Sequence, residues 1–376
     1  MTMRQAYLDD LRDIVNIDSQ SCDLPGLRKV AETLKAKFEA IGCVGRIDHI
    51  DDRAGDCLFV TNKPDAETFD IMMDARMDTV FPHGTAAERP FSYDDVKAYG
   101  PGALDCKGGC VMMLHVLKNT PKEVLDKLAI CITCNSDEEI LTVYSTPWLQ
   151  SFAKRSKCAL IYEPARKDGE LVCARKAASS YEFVFHGKAS HAGVSPETGC
   201  DAVMAMVKFI SAVKSHEDRA AGIVINCSPV EGGQTPTTIA DYARCQFRFF
   251  AWTNEDHDRI RDIILDYAKK EWEPGVTIDV RQINTASAMT FNDETKSFAA
   301  MLEEAARRVD VDVKWIRAGG LSDGNRISAV GIPTLDGLGP SGFHLHNDKE
   351  YLDLKSIDEH IRMSVSLLTM MAEQKS

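Results

Sequence analysis

The sequence lacks the long apolar run that a membrane-spanning helix requires. No window of its 376 residues approaches about 20 predominantly apolar positions. The first 15 residues carry charges throughout and contain no apolar signal core. We therefore expect a cytoplasmic protein that neither crosses a membrane nor binds one.

An excess of basic residues and a paired set of zinc-ribbon cysteines are also missing. The net charge is -13, and so acidic a surface repels phosphate backbones, which argues against nucleic acid as a partner. The 12 cysteines are scattered, and the pair Cys131 and Cys134 is not followed by a second such pair. We expect free, mostly buried thiols, as in proteins of a reducing cytoplasm.

The chain has the length and apolar content of a two-domain globular protein. It is 44% apolar and 27% charged, and 376 residues exceed what one ordinary core contains. Residues 26–42 place apolar side chains on one helical stripe, and residues 108–117 predict a helix after a glycine turn. Short apolar runs predict the buried strands of an α/β sheet, at residues 57–61, 70–75, 128–134 and 158–162.

The pattern of elements changes after Lys176 and changes back near Phe291. The intervening segment has a β-α-β-β-α-β order, which is typical of a ferredoxin-like α+β fold. Its recognisable elements are strands at 181–186, 223–227 and 243–250 and helices at 201–215 and 256–272. The α/β pattern then returns and ends in a helix at 356–373. We therefore predict one α/β domain, residues 1–176 and 291–376, interrupted by a smaller α+β domain, residues 177–290.

Acidic side chains follow several of the predicted strands. In open α/β sheets, functional groups collect at the carboxyl ends of the strands. Carboxylates crowded at one sheet edge repel one another, and a divalent cation resolves that repulsion. Carboxylates with one histidine favour zinc, cobalt or manganese. Each acid taken singly fits a solvated loop equally well, but the set predicts a metal site, formed by Asp78, Asp105, Glu138, Glu139, Glu163 and His346.

Seven motifs make the chain similar to a known family over nearly its whole length. They are MDTVFP at 77–82, YGPGALDCKGG at 99–109, SDEE at 136–139, YEPA at 162–165, HGKASHAG at 186–193, GGLSDGN at 319–325 and GLGPSG at 337–342. In these motifs the chain resembles the zinc carboxypeptidase and aminoacylase family that contains glutamate carboxypeptidase, acetylornithine deacetylase and succinyl-diaminopimelate desuccinylase. The resemblance implies a zinc-exopeptidase-like catalytic domain with an inserted dimerisation or lid domain, and a homodimer.

The resemblance also implies a role for each candidate residue. Asp105 would bridge two zinc ions, Glu163 would bind the first ion, and Glu139 and His346 the second. His344 competes with His346 for this role, but the family places its histidine four residues before a glutamate, here Glu350. The remaining implied roles are the general base for Glu138, orientation of the first metal ligand for Asp78, oxyanion stabilisation in the partner subunit's site for His191, and substrate binding for Gly320 and Ser322.

One position departs from the family in a way that affects the metal site. The family's first motif is His-x-Asp, and here it is Arg76-Met77-Asp78. A guanidinium offers no lone pair and stays protonated in proteins, so Arg76 cannot bind zinc. We expect Arg76 to bring a fixed positive charge to the first metal position and to pair with Asp105, Glu163 or Asp78.

The inserted domain departs as well. The family has an asparagine near Thr237 and an arginine near Phe250 that hold the substrate. Arg244 or Arg248 is a candidate substitute, although both fit equally well as solvated strand residues. The small pair that usually follows the acidic motif is replaced by Leu141 and Thr142.

Three interpretations remain open on sequence alone. The chain is an active hydrolase of short peptides or N-acyl amino acids, a non-catalytic relative that binds a ligand, or a normal enzyme carrying one natural or introduced change at Arg76. The first and third share one underlying function, which we adopt: metal-dependent amide hydrolysis of the glutamate-carboxypeptidase type, impaired by Arg76, with one or two bound ions.

Overall fold

The computed structural model describes residues 2–375, whose helices and strands alternate along the chain. Before the insertion the elements are α1 (Met3–Val15), α2 (Leu24–Glu39), β1 (Val44–Asp51), β2 (Gly55–Thr61), β3 (Ile71–Arg76), α3 (Thr85–Glu88), β4 (Ser92–Tyr93), β5 (Lys97–Tyr99), α4 (Lys107–Asn119), α5 (Lys122–Leu125), β6 (Ile130–Asn135), α6 (Thr146–Ala153), β7 (Ala159–Ile161) and β8 (Leu171–Arg175). The insertion contains β9 (Ala177–His186), β10 (Ser190–His191), a 3-10 turn (Pro196–Thr198), α7 (Ala202–Lys214), β11 (Val224–Gly232), β12 (Thr238–Ile239), β13 (Tyr242–Ala251), α8 (Asn254–Ala268) and β14 (Thr277–Ala286). After it come α9 (Asp293–Arg307), β15 (Trp315–Ala318), α10 (Asp323–Ser328), β16 (Thr334–Leu335), β17 (Gly342–Phe343), β18 (Tyr351–Asp353) and α11 (Leu354–Glu373).

These elements form two compact units. The first unit comprises the chain up to Ala174, Met289–Ala318 and the chain from Ser322 onward. The second, here called the inserted unit, comprises Arg175–Ala288 and the short segment Gly319–Leu321. The fold class is the predicted one, an α/β domain with an inserted α+β domain. Within residues 2–375, no helix combines the length and the apolar character needed to cross a membrane.

The first unit is built on a six-stranded mixed sheet. Its strand order is β1-β2-β6-β3-β7-β16. The strands β6, β3, β7 and β16 run parallel, whereas β2 pairs antiparallel with both β1 and β6. Every residue of β3 and β6 is buried, as expected for strands covered on both faces. Because four strands are parallel, their carboxyl ends open on one edge of the sheet.

Helices cover both faces of this sheet. The larger core joins one face to apolar side chains of α1, α2, α4, α9 and α11. A smaller core on the other face includes Phe69, Leu149, Phe152 and Ile327, contributed partly by α6 and α10. All 12 cysteines are free, and nine of them are buried, in agreement with the expected unpaired thiols.

The inserted unit confirms the predicted β-α-β-β-α-β order. Its main sheet has four antiparallel strands in the order β11-β13-β9-β14, and α7 and α8 pack on one face of it. The strand predicted at 223–227 continues to Gly232 through a bulge at Pro229. An edge strand tolerates proline because the missing N–H breaks no ladder bond there. The helix predicted to reach Trp272 ends at Ala268, and the Trp272 ring turns back to lie 5.9 Å from the Phe209 ring.

Phe209 of α7 is the centre of the inserted unit's aromatic core. It is fully buried, and its ring centroid lies 4.9 Å from that of Phe183 and 5.8 Å from that of Phe247. We predict that Phe209→Ala lowers the free energy of unfolding by about 3–5 kcal/mol, because it leaves a cavity among rings that cannot collapse into it. Urea denaturation of the full chain measures the change. The control is Ser211→Ala on the exposed face of α7, which should alter stability by less than about 0.5 kcal/mol.

Candidate metal centre

The carboxyl ends of three parallel strands bring the candidate residues together. Arg76 is the last residue of β3, Glu138 and Glu139 follow β6, and Glu163 follows β7. Asp105 lies in the turn that leads into α4, and His346 lies in the loop between β17 and β18. These residues contact one another at one edge of the sheet, as the sequence predicts.

Arg76 occupies the middle of this cluster. Its side chain is only 2% exposed, and its Nη2 donates to Asp105 Oδ1. Its Nε lies 3.1 Å from Glu163 Oε1 and 3.2 Å from Glu138 Oε2. Its Nη1 lies 2.8 Å from Glu139 Oε1 and donates to the backbone carbonyl of Asp78 at 2.8 Å. One guanidinium therefore makes ion pairs with four carboxylates.

The charges of this cluster perturb one another strongly. Burial opposes the charge of Arg76, but the surrounding carboxylates, Asp105 foremost, outweigh it and hold the arginine pKa well above its usual value. Burial likewise opposes ionisation of Asp105, yet Arg76 and His346 together lower its pKa. For Glu138 burial dominates and raises the pKa, with Glu163 adding to the effect.

Three side chains form a set that fits a divalent metal. Ligand atoms of Asp105, Glu139 and His346 all lie within 4.8 Å of one another. His346 Nε2 is 3.2 Å from Asp105 Oδ2 and 3.3 Å from Glu139 Oε1. The adjacent carboxylates, Asp105 first and then Glu139, raise the His346 pKa to about 10, so the imidazole carries a proton that a metal would displace.

Glu139 provides the test of this fit. Its Oε1 is buried and lies 2.8 Å from Arg76 Nη1 and 3.3 Å from His346 Nε2, but neither contact has the geometry of a hydrogen bond among the described residues. A buried carboxylate oxygen without a hydrogen bond is costly unless a cation binds it. Two carboxylates and one histidine are a reasonable three-ligand set for zinc. His346, rather than His344, belongs to this set.

The first metal position of the family fits a metal poorly here. Arg76 already engages both Asp105 and Glu163, the two ligands that remain there. A second group that sequence reasoning missed is Asp105, Cys106 and Glu163, whose ligand atoms also lie within 4.8 Å. The Cys106 thiol donates to the carbonyl of Tyr162 at 3.2 Å, and burial raises its pKa. The sequence gives one sign of this group, which is the position of Cys106 next to Asp105 in the segment LDCKGG at 104–109.

Asp78 supports the acidic pair. Its carboxylate accepts the backbone N–H of Glu139 at 3.0 Å and of Glu138 at 3.3 Å, and the Ser21 hydroxyl at 2.6 Å. Burial raises the Asp78 pKa to about 6. The sequence predicts that Asp78 orients a histidine at position 76. Here Arg76 donates to the backbone carbonyl of Asp78, and the Asp78 carboxylate holds the turn after β6 instead.

The turn after β6 is held in a conformation that side chains disfavour. Leu141 and Thr142 have φ values of 76° and 52°, in the left-handed region. Several bonds impose this geometry: Leu141 N–H donates to Glu138 O at 2.7 Å, and the Thr142 hydroxyl donates to Asp323 at 2.7 Å. Glycine, which has no Cβ, adopts such φ values with less strain than leucine or threonine.

The substrate-site candidates differ in how far the fold already uses them. Ser322 is buried, caps α10 and donates to Asp336 at 2.6 Å, so its hydroxyl serves the fold of the first unit. The carbonyl of Gly320 accepts a hydrogen bond from Arg175 at 3.0 Å.

In the inserted unit, Arg244 and Arg248 differ in the same way. Arg244 pairs with Glu182 at 3.1 Å and with Glu231 at 2.8 Å across neighbouring strands. Arg248 has no carboxylate partner among the described residues, its guanidinium lies 5.3 Å from the Phe250 ring centroid, and burial lowers its pKa. Arg248 is therefore the more available guanidinium.

His191 lies on a short ribbon at the surface of the inserted unit. It belongs to β10, which pairs antiparallel with β12, and its side chain is exposed. Its Nδ1 accepts the N–H of Gly193 at 3.1 Å, which fixes the tautomer with the proton on Nε2. Nε2 is thus left as a donor.

Comparison with known proteins agrees with this arrangement. Residues 72–370 match the model of peptidase family M20/M25/M40. Carboxypeptidase G2 of Pseudomonas sp. (strain RS-16) is 28% identical over 373 residues, which cover 96% of this chain and 88% of that protein. The fold is similar to that of the aminopeptidase PepT from Bacillus cereus ATCC 10987, with a TM-score of 0.79 and 21% identity over 99% of this chain and 100% of that chain.

A second solved structure is also similar in fold. The YXEP protein of Bacillus subtilis, described as a dinuclear metal binding peptidase from the M20 family, has a TM-score of 0.69 and 14% identity, covering 99% of this chain and 98% of that chain. The family match spans most of the chain, and the site residues lie within it. The chain belongs to peptidase family M20/M25/M40 and is a metallopeptidase-type hydrolase of amide bonds.

Proposed function

We propose that this protein is a glutamate-carboxypeptidase-like hydrolase of short peptides or N-acyl amino acids that works with one tightly bound divalent ion, zinc, cobalt or manganese, instead of two. The observation that supports it is the position of Arg76, whose guanidinium engages the two remaining ligands of the first metal position. Asp105, Glu139 and His346 would hold the single ion. A cation bound there supplies Lewis-acid activation of water and of the scissile carbonyl.

The residues of the chain would share the remaining work. Glu138 is proposed to take a proton from the attacking water and to return it to the leaving amine. His191 is proposed to reach the site of the partner subunit and to stabilise the developing oxyanion there through Nε2, and Arg248 is proposed to bind the substrate carboxylate. Arg76 neutralises part of the negative charge, but it cannot lower the pKa of water by direct coordination. We therefore expect weak peptide hydrolysis.

The first test counts metals. We expect about one zinc per chain after dialysis, measured by elemental analysis. Arg76→His should add a second ion and raise hydrolysis of dipeptides and N-acyl amino acids at least about tenfold, because imidazole supplies the missing lone pair. Arg76→Gln is the control, since it removes the charge but offers no imidazole, and it should gain no second ion of comparable affinity. Two fully occupied ions in the unmodified protein, or an Arg76→His variant that gains neither metal nor rate, would contradict the proposal.

The second test concerns the base. Glu138→Gln should lower hydrolysis by about two to four orders of magnitude while leaving metal content nearly unchanged, because an amide cannot accept the proton. Glu139→Gln is the matched variant one residue along, and it should lose metal. Undiminished turnover by Glu138→Gln removes this residue from the mechanism.

We further propose a cytoplasmic homodimer formed through the inserted unit, residues about 177–290. The support is the exposed position of His191, together with apolar side chains on the surface of the same unit. Met204 and Val207 on α7 and Val230 on the edge strand β11 are between 43% and 49% exposed. A surface with several such side chains favours association.

Light scattering at micromolar concentration tests the dimer. The unmodified chain should have twice the mass of one protomer, and Val207→Glu should shift it toward the monomer, because the variant places a charge in the interface. The control is Val96→Glu in the first unit, where Val96 is 58% exposed, and this variant should remain dimeric. A strictly monomeric unmodified protein contradicts the proposal.

A further inference from the structure

His346 is the least fixed of the three side chains proposed to hold the metal. Its side chain is 53% exposed, against 3% for Asp105 and 10% for Glu139. Its loop, residues 343–349, is exposed throughout. His344 and His346 have φ values of 63° and 59°, and left-handed backbone at non-glycine residues persists only where other contacts hold it. Contacts from outside this loop are therefore needed to hold its backbone if His346 is to keep its position.

Arg89 supplies a restraint from outside the loop. Its Nη1 donates to the carbonyl of Asp348 and to that of Asn347 at 3.4 Å. These two residues follow His346 directly, so their carbonyls fix the backbone on which the imidazole stands. Inside the loop, Asn347 also accepts the N–H of Glu350 at 3.0 Å, which joins the same peptide to the buried end of the loop.

Arg89 is itself held firmly in place. Its guanidinium carbon lies 4.7 Å above the centre of the Phe81 ring. Its backbone N–H closes the short helix α3 by donating to Thr85 O at 2.8 Å. The start of that helix is anchored by Asp18, which accepts the N–H groups of Gly84 and Ala86, both at 2.8 Å. Arg89 therefore connects a fixed segment to the loop.

The far end of the loop is joined to Asp105. Glu350 is buried, and its Oε1 accepts the backbone N–H of Leu104 at 2.9 Å and of Asp105 at 3.4 Å. Its Oε2 and the Nη2 of Arg89 are both buried and have no hydrogen-bond partner within the described residues.

We propose that Arg89 is a positioning residue for His346, acting through the backbone of Asn347 and Asp348, and that it sets the affinity of the single metal site. The inference rests on the proposed function, because it requires a metal held by Asp105, Glu139 and His346. Residues that orient a metal ligand typically change metal affinity by about 10–100-fold when they are removed.

The test compares zinc dissociation constants, measured by competition with a chromophoric chelator. Arg89→Ala should bind zinc about tenfold more weakly than the unmodified protein. Arg155→Ala is the matched control, because Arg155 also lies over a phenylalanine, Phe69, at 5.0 Å and also donates to two backbone carbonyls, but contacts no ligand-bearing loop. Its zinc affinity should stay within about twofold of the unmodified protein.

A double-mutant cycle separates positioning from general loss of structure. In a His346→Ala background, Arg89→Ala should weaken zinc binding no further, since the ligand it positions is gone. Unchanged affinity in Arg89→Ala, or equal weakening with and without His346, overturns the inference while leaving the metal site standing. If the unmodified protein binds no zinc, the proposed function fails and the inference fails with it. Thermal unfolding of each variant in excess chelator identifies any that does not fold.

Discussion

The burial of four carboxylates around one guanidinium is the interaction on which the site depends. Asp105, Glu138, Glu139 and Glu163 all lie within ion-pairing distance of Arg76. Carboxylates brought this close out of water repel one another and need a compensating cation. Arg76 supplies one fixed charge, and the protonated His346 supplies another. The two cations lie among more carboxylates than they can neutralise one for one, which is the basis of the proposal that one divalent ion binds in exchange for the histidine proton.

The parallel sheet explains why this concentration of charge is tolerated. The acidic residues follow the ends of strands whose two faces are packed against large apolar cores. The free energy gained by burying those cores offsets the repulsion between the carboxylates. Two further buried acids hold the backbone of the first ones. Asp78 binds the turn at Glu138 and Glu139, and Glu350 binds the turn at Asp105. The site is therefore built from acids that act as ligands and acids that fix the peptide bonds of those ligands.

The inserted unit is stabilised by its own aromatic core and by a separate network of charged side chains. Its aromatic core joins one sheet face to α7 and α8, and the opposite face carries a network in which Glu182 meets Arg244, Gln246 and Arg281. Arg244 belongs to that network, whereas Arg248 has no carboxylate partner among residues 2–375. A guanidinium without a carboxylate partner can still make strong hydrogen bonds to an anion, which is why Arg248 is the residue proposed to bind the substrate carboxylate.

The sequence by itself determined the family, the order of the main elements in the inserted unit and the fact that residue 76 cannot bind a metal. These follow from local information: apolar periodicity, glycine and proline turns, motif spacing and the absence of a lone pair on guanidinium. Only the tertiary structure decided that Arg76 reaches four acids at once, that Asp78 supports the turn after β6, and that Arg89 contacts the loop that carries His346. Arg76 and Glu163 are 87 positions apart, and Arg89 and Asp348 are 259 apart. Contacts over such separations depend on strand order and on the direction in which each loop returns, which a periodicity in sequence does not encode.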